Sequence, residues 1–285
     1  MICFRLLDSD DPAEPLAQAV AKVREGENSS EVYSVNPTSF RQVPNAPFAY
    51  WVSEHVFRTF NELLPFEEDG RTAKAGLCTG YDFRFVRASW ETPEDKSNQI
   101  WFPLAKGGSY SPFYADVFLK VIWVDKGKEI KAGEECRSVP GTRAQNTQFY
   151  FRPGLTWPLR TTSGMSMRSM PKGCVFGHKG PAAFFDMGNS EASAFLSLIQ
   201  SQAFQVLVAL QLAAGDAAAR SYEVGVIQRT VVPSLDEQSR KVFGDYARFA
   251  WSTKRSTDTT NQTSHAFYAP ALTPRRTKPL STHSS

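Results

Sequence analysis

The chain has 285 residues, 41 % of them hydrophobic and 21 % charged, and a formal net charge of +3. That is enough apolar material for one or two globular units with a real core. Four scattered cysteines (Cys3, Cys78, Cys136 and Cys174) form no Cys-x-x-Cys pair, which argues against a zinc knuckle or a disulfide framework and for incidental or core thiols in a reducing compartment.

Residues 14 to 25 place Leu16, Ala19, Val20 and Val23 on one helical face after the cap signals of Asp8 to Asp11. A second helix is expected to open at Pro47, with Trp51, Val52, Val56, Phe60 and Leu63 recurring every three or four residues. From Lys74 to Phe185 the pattern changes to short β-prone runs broken by Gly, Pro and Asn: FRFVRASW, QIWFPL, VFLKVIWV, TQFYFRPGLTW, GCVFGH and AAFFD. Such runs predict an α+β fold, a short-strand, mostly antiparallel sheet or partial barrel flanked by helices. A helix starting at Asn189 or Ser190 carries Phe195, Leu198, Ile199, Val206, Leu207 and Leu210 toward Gly215. Tyr222 to Pro233 reads as strand-like, and Asp236 to Ala250 as a last helix with Val242, Phe243, Tyr246 and Phe249 on its apolar side.

After Trp251 the sequence turns to Ser, Thr, Asn and Gln, then to Pro270, Pro274 and Pro279 with Arg275, Arg276 and Lys278. Such a segment buries too little apolar surface to offset its ordering entropy, so 253–285 is expected to be mostly disordered. The resulting division is 1–70 helical linker, 71–235 main domain, 236–252 helix and 253–285 tail. Met1 to Leu7 is too short for a targeting segment, and the apolar run Ala194 to Ala214 is interrupted by Ser197, Gln200, Ser201, Gln202, Gln205 and Gln211. The expectation is therefore a cytoplasmic protein with no membrane span.

Charge is distributed unevenly. Between Cys136 and Phe185 stand seven basic residues (Arg137, Arg143, Arg152, Arg160, Arg168, Lys172 and Lys179) and no acid. Two glycine-and-basic segments precede them: GLCTGYDFRFVR, with Arg84, and WFPLAKGGSY, where Lys106 stands beside Gly107 and Gly108. Glycine lets a backbone approach a phosphate closely, while lysine supplies charge and arginine reads guanine edges. The candidate DNA-binding set is Arg84, Lys106, Gly107, Gly108, Arg143, Arg152, Arg160, Arg168, Lys172 and Lys179, with duplex DNA as the expected partner. A solvated face scattered over several strands is the alternative reading of the same charges.

Catalytic templates are largely missing. There is no Gly-x-Gly-x-x-Gly, no Gly-Lys-Ser/Thr phosphate loop and no Gly-x-Ser-x-Gly elbow, and His55, His178, His265 and His283 lack metal-ligand spacing. Each is read as a structural or surface histidine, with His178, inside the basic tract, the one for which a phosphate contact stays open as the alternative. One nuclease-like pattern exists, with Asp116 and Glu129 as Mg²⁺ ligands and Lys131 supporting the attacking water. Its loop, VDKGKEIKAGEE, also has the alternating charges of any exposed turn.

Several segments in order (AYWVS from Ala49, GLCTGYDFRFVR, WFPLAKGG, NTQFYFRPGLTW from Asn146, SMRSMPKGCVFGHKG, YEVGVIQRTVVP from Tyr222 and FAWSTKRSTDTTNQTSHAFYAPAL from Phe249) resemble the C-terminal part of large adenine-specific DNA methyltransferases. The resemblance is to those of the bacteriophage-exclusion system and of fused type II restriction-modification enzymes, and it covers most of 31–272. It implies a target-recognition region downstream of a catalytic domain that methylates adenine N6 with S-adenosylmethionine, the base being flipped out. The chain has no Asn-Pro-Pro-Tyr-like motif and no glycine-rich cofactor turn; Asn36-Pro37-Thr38 and Asn45-Ala46-Pro47 are not substitutes. No catalytic, cofactor-binding or metal-binding residue is therefore assigned in this chain. The expectation is a separated or truncated recognition module, its methyltransferase domain supplied in trans and docking on helices 15–25 and 48–64. The alternatives are the nuclease and an inactive gene remnant.

Overall fold

The structure is a computed structural model and describes residues 1–6, 10–27, 29–93, 100–135, 141–212 and 220–270. Asp8, Cys136, Arg137, Gly215, Arg275, Arg276, Lys278 and most of the proline-rich tail lie outside the described residues. In chain order the elements are β1 (Ile2–Phe4), α1 (Ala13–Glu25), β2 (Val32–Ser34), α2 (Glu54–Glu62), β3 (Leu64–Pro65), β4 (Arg71–Lys74), α3 (Asp82–Phe85), β5 (Val86–Ala88), β6 (Trp101–Ala105), β7 (Leu119–Ile122) and α4 (Lys128–Glu135). There follow β8 (Gly154–Thr156), β9 (Arg160–Thr161), β10 (Arg168–Met170), β11 (Val175–Phe176), β12 (Ala182–Phe185), α5 (Asn189–Ile199), α6 (Gln202–Gln211), β13 (Arg220–Ser221), α7 (Val224–Arg229), β14 (Val231–Val232) and α8 (Glu237–Thr257).

The fold is α+β, as the alternation of short strand runs with helical periodicity predicts. One four-stranded sheet has the order β10-β8-β12-β4 and is antiparallel throughout; the other, β11-β6-β7-β5, is antiparallel except for the parallel pair β11–β6. Neither closes into a barrel. Strands β8 (GLT) and β12 (AAFF) are buried along their whole length, which is why AAFF is a continuous apolar run rather than an alternating one, and why the buried Thr156 hydroxyl of β8 donates to Pro181 O at 2.8 Å. On one side Phe66, Trp157, Phe185, Phe195, Ile199 and Ile227 form a core with α5, α7 and α8. A second core of Val121, Trp123, Tyr150, Phe176 and Phe184 joins the two sheets. The N-terminal region packs around Phe40, Phe57 and Phe60, with Leu210 and Val231 reaching in from the main body.

Several local expectations are corrected. Helix α2 starts after Ser53 rather than at Pro47: the intervening residues close tight turns (Ala49 N to Pro47 O at 2.8 Å, Val52 N to Ala49 O at 3.2 Å) and the extended Ser53 is the N-cap. Residues 48 to 51 instead form a ring cluster in which Phe48, Tyr50 and Trp51 pack at centroid distances of 5.1 to 5.4 Å, Phe48 also lying against Phe40. The single helix expected from Asn189 is two, bent by 75° at Gln200 and Ser201, where the Ser201 hydroxyl accepts from the Phe204 N–H at 3.2 Å. Among the described residues no single helix is long and apolar enough to cross a membrane.

Tyr222 to Pro233, read as strand-like, divides into α7, which drops Val226 and Ile227 into the core where burial overrides their β propensity, and the short strand β14 paired with β3. The charged stretch read as an exposed turn forms α4, anchored by Ile130 at 1 % exposure. Helix α8 is capped by Asp236, whose carboxylate accepts from Ser239 N at 2.7 Å, and runs to Thr257. Beyond it Ser264 and Ala266 are buried and His265 Nδ1 sits 3.0 Å from Asp116, so the first part of the expected tail is packed.

Candidate nucleic-acid interface

Parallel pairing gathers loops that are far apart in sequence. Strands β6 and β11 run side by side in the same direction (Leu104 beside Val175, Ala105 beside Phe176), and a parallel bridge sets Leu77 beside Gly177. The segments leaving these two strands and the Leu77 bridge, 106–110, 177–180 and 78–84, therefore emerge at one end of the sheet. Their close approach depends on glycine: a Cβ on Gly107 would lie 2.4 Å from the Lys179 carbonyl oxygen, and one on Gly180 would lie 2.3 Å from the Gly107 nitrogen. Leu159 N donates to Lys179 O at 3.0 Å, which brings β9 and Arg160 to the same end. Arg143 arrives through main-chain bonds with Cys78 of 2.8 and 2.9 Å.

Lys106, Gly107, Gly108, Arg143, Arg160 and Lys179 thus share one face, whereas the Arg84 guanidinium turns to Glu129 of α4, which follows the end of β7 beside the start of β6. Arg143, Arg160 and Lys179 are exposed. Two of the cations are partly neutralised: Lys106 is ion-paired with Asp82, and Arg84 pairs with Glu129 at 2.5 Å. Burial pushes the Asp82 carboxyl upward. The hydrogen bonds from Lys106 and Thr79 and the charges of Lys106 and Lys179 outweigh that and hold it below the ordinary aspartate range. The His178 main chain is bonded to Leu77 O at 2.8 Å, while its ring Nδ1 is buried without a partner among the described residues.

The other three candidates stand elsewhere. Arg168, expected at a groove, is 4 % exposed; its guanidinium donates to Ser109 O at 2.9 Å and to Gly107 O, and burial lowers its pKa to about 10. It shapes the loop from below rather than presenting charge. Arg152 is half-buried, lying over the rings of Phe149 and Phe184 with Asp186 at 3.7 Å. Lys172 is exposed at the rim of an apolar cavity of about 630 Å³ between β8, β10, α5 and α8, which Tyr114, Trp251 and His265 also line.

Sequence reasoning missed Tyr81 and Tyr110, 53 % and 49 % exposed on the loops of this face, and Phe83, 83 % exposed on the adjoining α3. It also missed Arg220, whose strand pairs with β9. The signal for Phe83 was Gly80, which turns the chain at φ 66° just before the Tyr81 N-cap of α3, so that FRFV is helix then strand. The nuclease set does not assemble: Asp116 holds His265, Glu129 holds Arg84, and Lys131 lies over Trp123. No group of three or more His, Cys, Asp or Glu suited to a metal occurs among the described residues. Cys174 is buried, its thiol pushed up to about 12, as befits an inert core position.

No protein-family model matches the chain. It is 26 % identical over 223 residues to an adenine-specific methyltransferase PglX of Lacticaseibacillus casei (strain Zhang), covering 68 % of this chain and 18 % of that protein. It is 30 % identical over 165 residues to an adenine-specific methyltransferase BrxX of Escherichia coli O9:H4 (strain HS), covering 55 % of this chain and 13 % of that one. The chain thus spans less than a fifth of the curated relatives it matches, and its sequence is related to a segment of adenine-specific methyltransferases.

Proposed function

We propose that this chain is a DNA-binding, target-recognition segment of an adenine-specific methyltransferase of a phage-exclusion or restriction-modification defence system. It holds duplex DNA on the loop face built by residues 78–84, 106–110, 158–161 and 177–180. The observation that carries this reading is the convergence of Lys106, Arg160 and Lys179 with two closely apposed glycines, Gly107 and Gly180, and exposed aromatic rings at one end of a sheet. Such a face offers point charges and close backbone approach to phosphates and planar groups to bases.

S-adenosylmethionine would supply the methyl group in the whole enzyme. Among the described residues the single parallel strand pair, β6–β11, is not joined through a glycine turn opening a helix, so they do not fit that cofactor. Methyl transfer is accordingly assigned to a methyltransferase domain beyond these residues, in cis or in trans.

The test is fluorescence anisotropy of a mixed-sequence duplex at several salt concentrations, with the Arg160→Ala, Lys179→Ala double variant beside wild type. Both side chains are exposed, so the fold should survive. Loss of two phosphate contacts lowers the slope of log affinity on log salt by about 1.8. A folded wild type that leaves the duplex unbound at low salt, or a double variant with an unchanged slope, would overturn the reading.

A further inference from the structure

Arg168 is a buried cation whose described hydrogen bonds go to two carbonyls, Gly107 O and Ser109 O, and to no carboxylate. Its effect on the loop follows from peptide geometry. The described peptides are all trans, and in a planar trans peptide the N–H points opposite to the preceding C=O. Drawing the carbonyls of Gly107 and Ser109 inward turns the N–H groups of Gly108 and Tyr110 outward. Both residues are exposed, and neither N–H donates to an acceptor among the described residues. The glycines permit this shape, with φ of 85° at Gly107 and 108° at Gly108.

We infer that the Gly108 and Tyr110 amides, flanked by Lys106 and Lys179, form a receptor for phosphate oxygens, with Arg168 beneath them as a positioning residue. A guanidinium bonded to the carbonyl side of a peptide polarises its N–H, so the same contact that aims the two donors also strengthens them. A free anion and a DNA backbone phosphate share this chemistry. The DNA source rests on the function proposed above; the receptor itself does not. Lys106 is shared with Asp82, which leaves the exposed Lys179 as the nearer free charge.

The test is amide ¹H–¹⁵N spectroscopy of the full chain titrated with inorganic phosphate, with sodium chloride at matched ionic strength as control, and then with duplex DNA. Expected are saturable shifts of Gly108 and Tyr110 with phosphate and with duplex, absent with chloride. In Arg168→Lys, whose single ammonium cannot hold both carbonyls in one plane, phosphate affinity falls on the order of tenfold, while amides distant from the loop keep their positions. The wild-type titration decides even if that variant does not fold.

Anisotropy of the same duplex separates the two ideas. Duplex binding without movement of these amides, in phosphate or in DNA, refutes the receptor and leaves the DNA reading. Movement with phosphate but no duplex binding keeps the receptor and removes DNA as its source. Movement with duplex alone keeps the receptor and makes the phosphodiester its ligand.

Discussion

Asp82→Asn should tighten DNA binding. The Asp82 carboxylate is the acid that Lys106 pairs with on the loop face, its Oδ1 accepting from Thr79 Oγ1 at 2.5 Å and its Oδ2 from Lys106 Nζ. An asparagine keeps the oxygen that Thr79 needs but turns an NH₂ toward the ammonium, which frees Lys106. Removing one negative charge about 5 Å from an incoming phosphate, at a half-exposed site, is worth on the order of 1 kcal/mol, or about fivefold in affinity. Fold stability should change little, because a partly exposed ion pair contributes about 0 to 1 kcal/mol. Anisotropy titrations between roughly 50 and 200 mM salt should show the tighter binding and a salt slope steeper by about 0.9. Unchanged or weaker binding with an unchanged slope would refute the idea that Asp82 competes with phosphate for Lys106.

Phe83→Ala should leave the melting temperature nearly unchanged, since the ring is 83 % exposed and such surface changes stay within about 0.5 kcal/mol, while DNA affinity falls; calorimetry beside anisotropy checks both. Gly180→Ala should destabilise by about 1–3 kcal/mol or more, because its Cβ would meet the Gly107 nitrogen at 2.3 Å, the Lys106 carbonyl carbon at 2.7 Å and the Ala105 oxygen at 2.8 Å, all backbone; urea titration reads the loss. Glu67 accepts from Thr72 Oγ1, Ala73 N and Lys74 Nζ at 2.7, 2.8 and 2.6 Å. Burial raises its pKa, but these bonds outweigh burial and hold it below the usual glutamate value. A depressed carboxyl contributes stability that is present above the unfolded pKa and lost as pH falls through the folded one, so Glu67→Gln should flatten the acid side of a stability-against-pH curve. An identical acid limb in the variant would contradict that assignment.

The legible parts of this molecule are those with local causes. The strand AAFF announces burial on both faces, Asp236 announces a cap, and the periodicity of 14–25 gives α1 with Gly26 closing it at φ 78°. The illegible parts depend on partners distant in the chain. Arg168 reads as a surface arginine in SMRSMPK, and its burial follows only from the positions of Gly107 and Ser109, some sixty residues earlier. The break at Ser201 hides in an apolar run because a serine cap is as common in sequence as a serine on a helix face. The face itself depends on the parallel contacts of β6 with β11 and of Leu77 with Gly177, which hydrophobic pattern does not specify.

Those parallel contacts also explain why the basic tract divides as it does. A run of like charges along antiparallel strands would be spread over both ends of the sheet. Lys172 and Arg152 are so placed, lying near the turn where Gly173 N bonds Phe151 O at 3.0 Å, away from the loop face. Lys106 and Lys179 escape that fate because their strands share a direction, and Gly107 and Gly180 let the two exits touch. Charge density on the face is then set by backbone apposition and not by the number of basic residues in the tract. It follows that lengthening either loop should weaken anion binding more than removing a distal charge such as Lys172. Inserting one glycine after Ser109 shifts Tyr110 out of register with the carbonyls that Arg168 holds, whereas Lys172→Ala leaves that geometry intact.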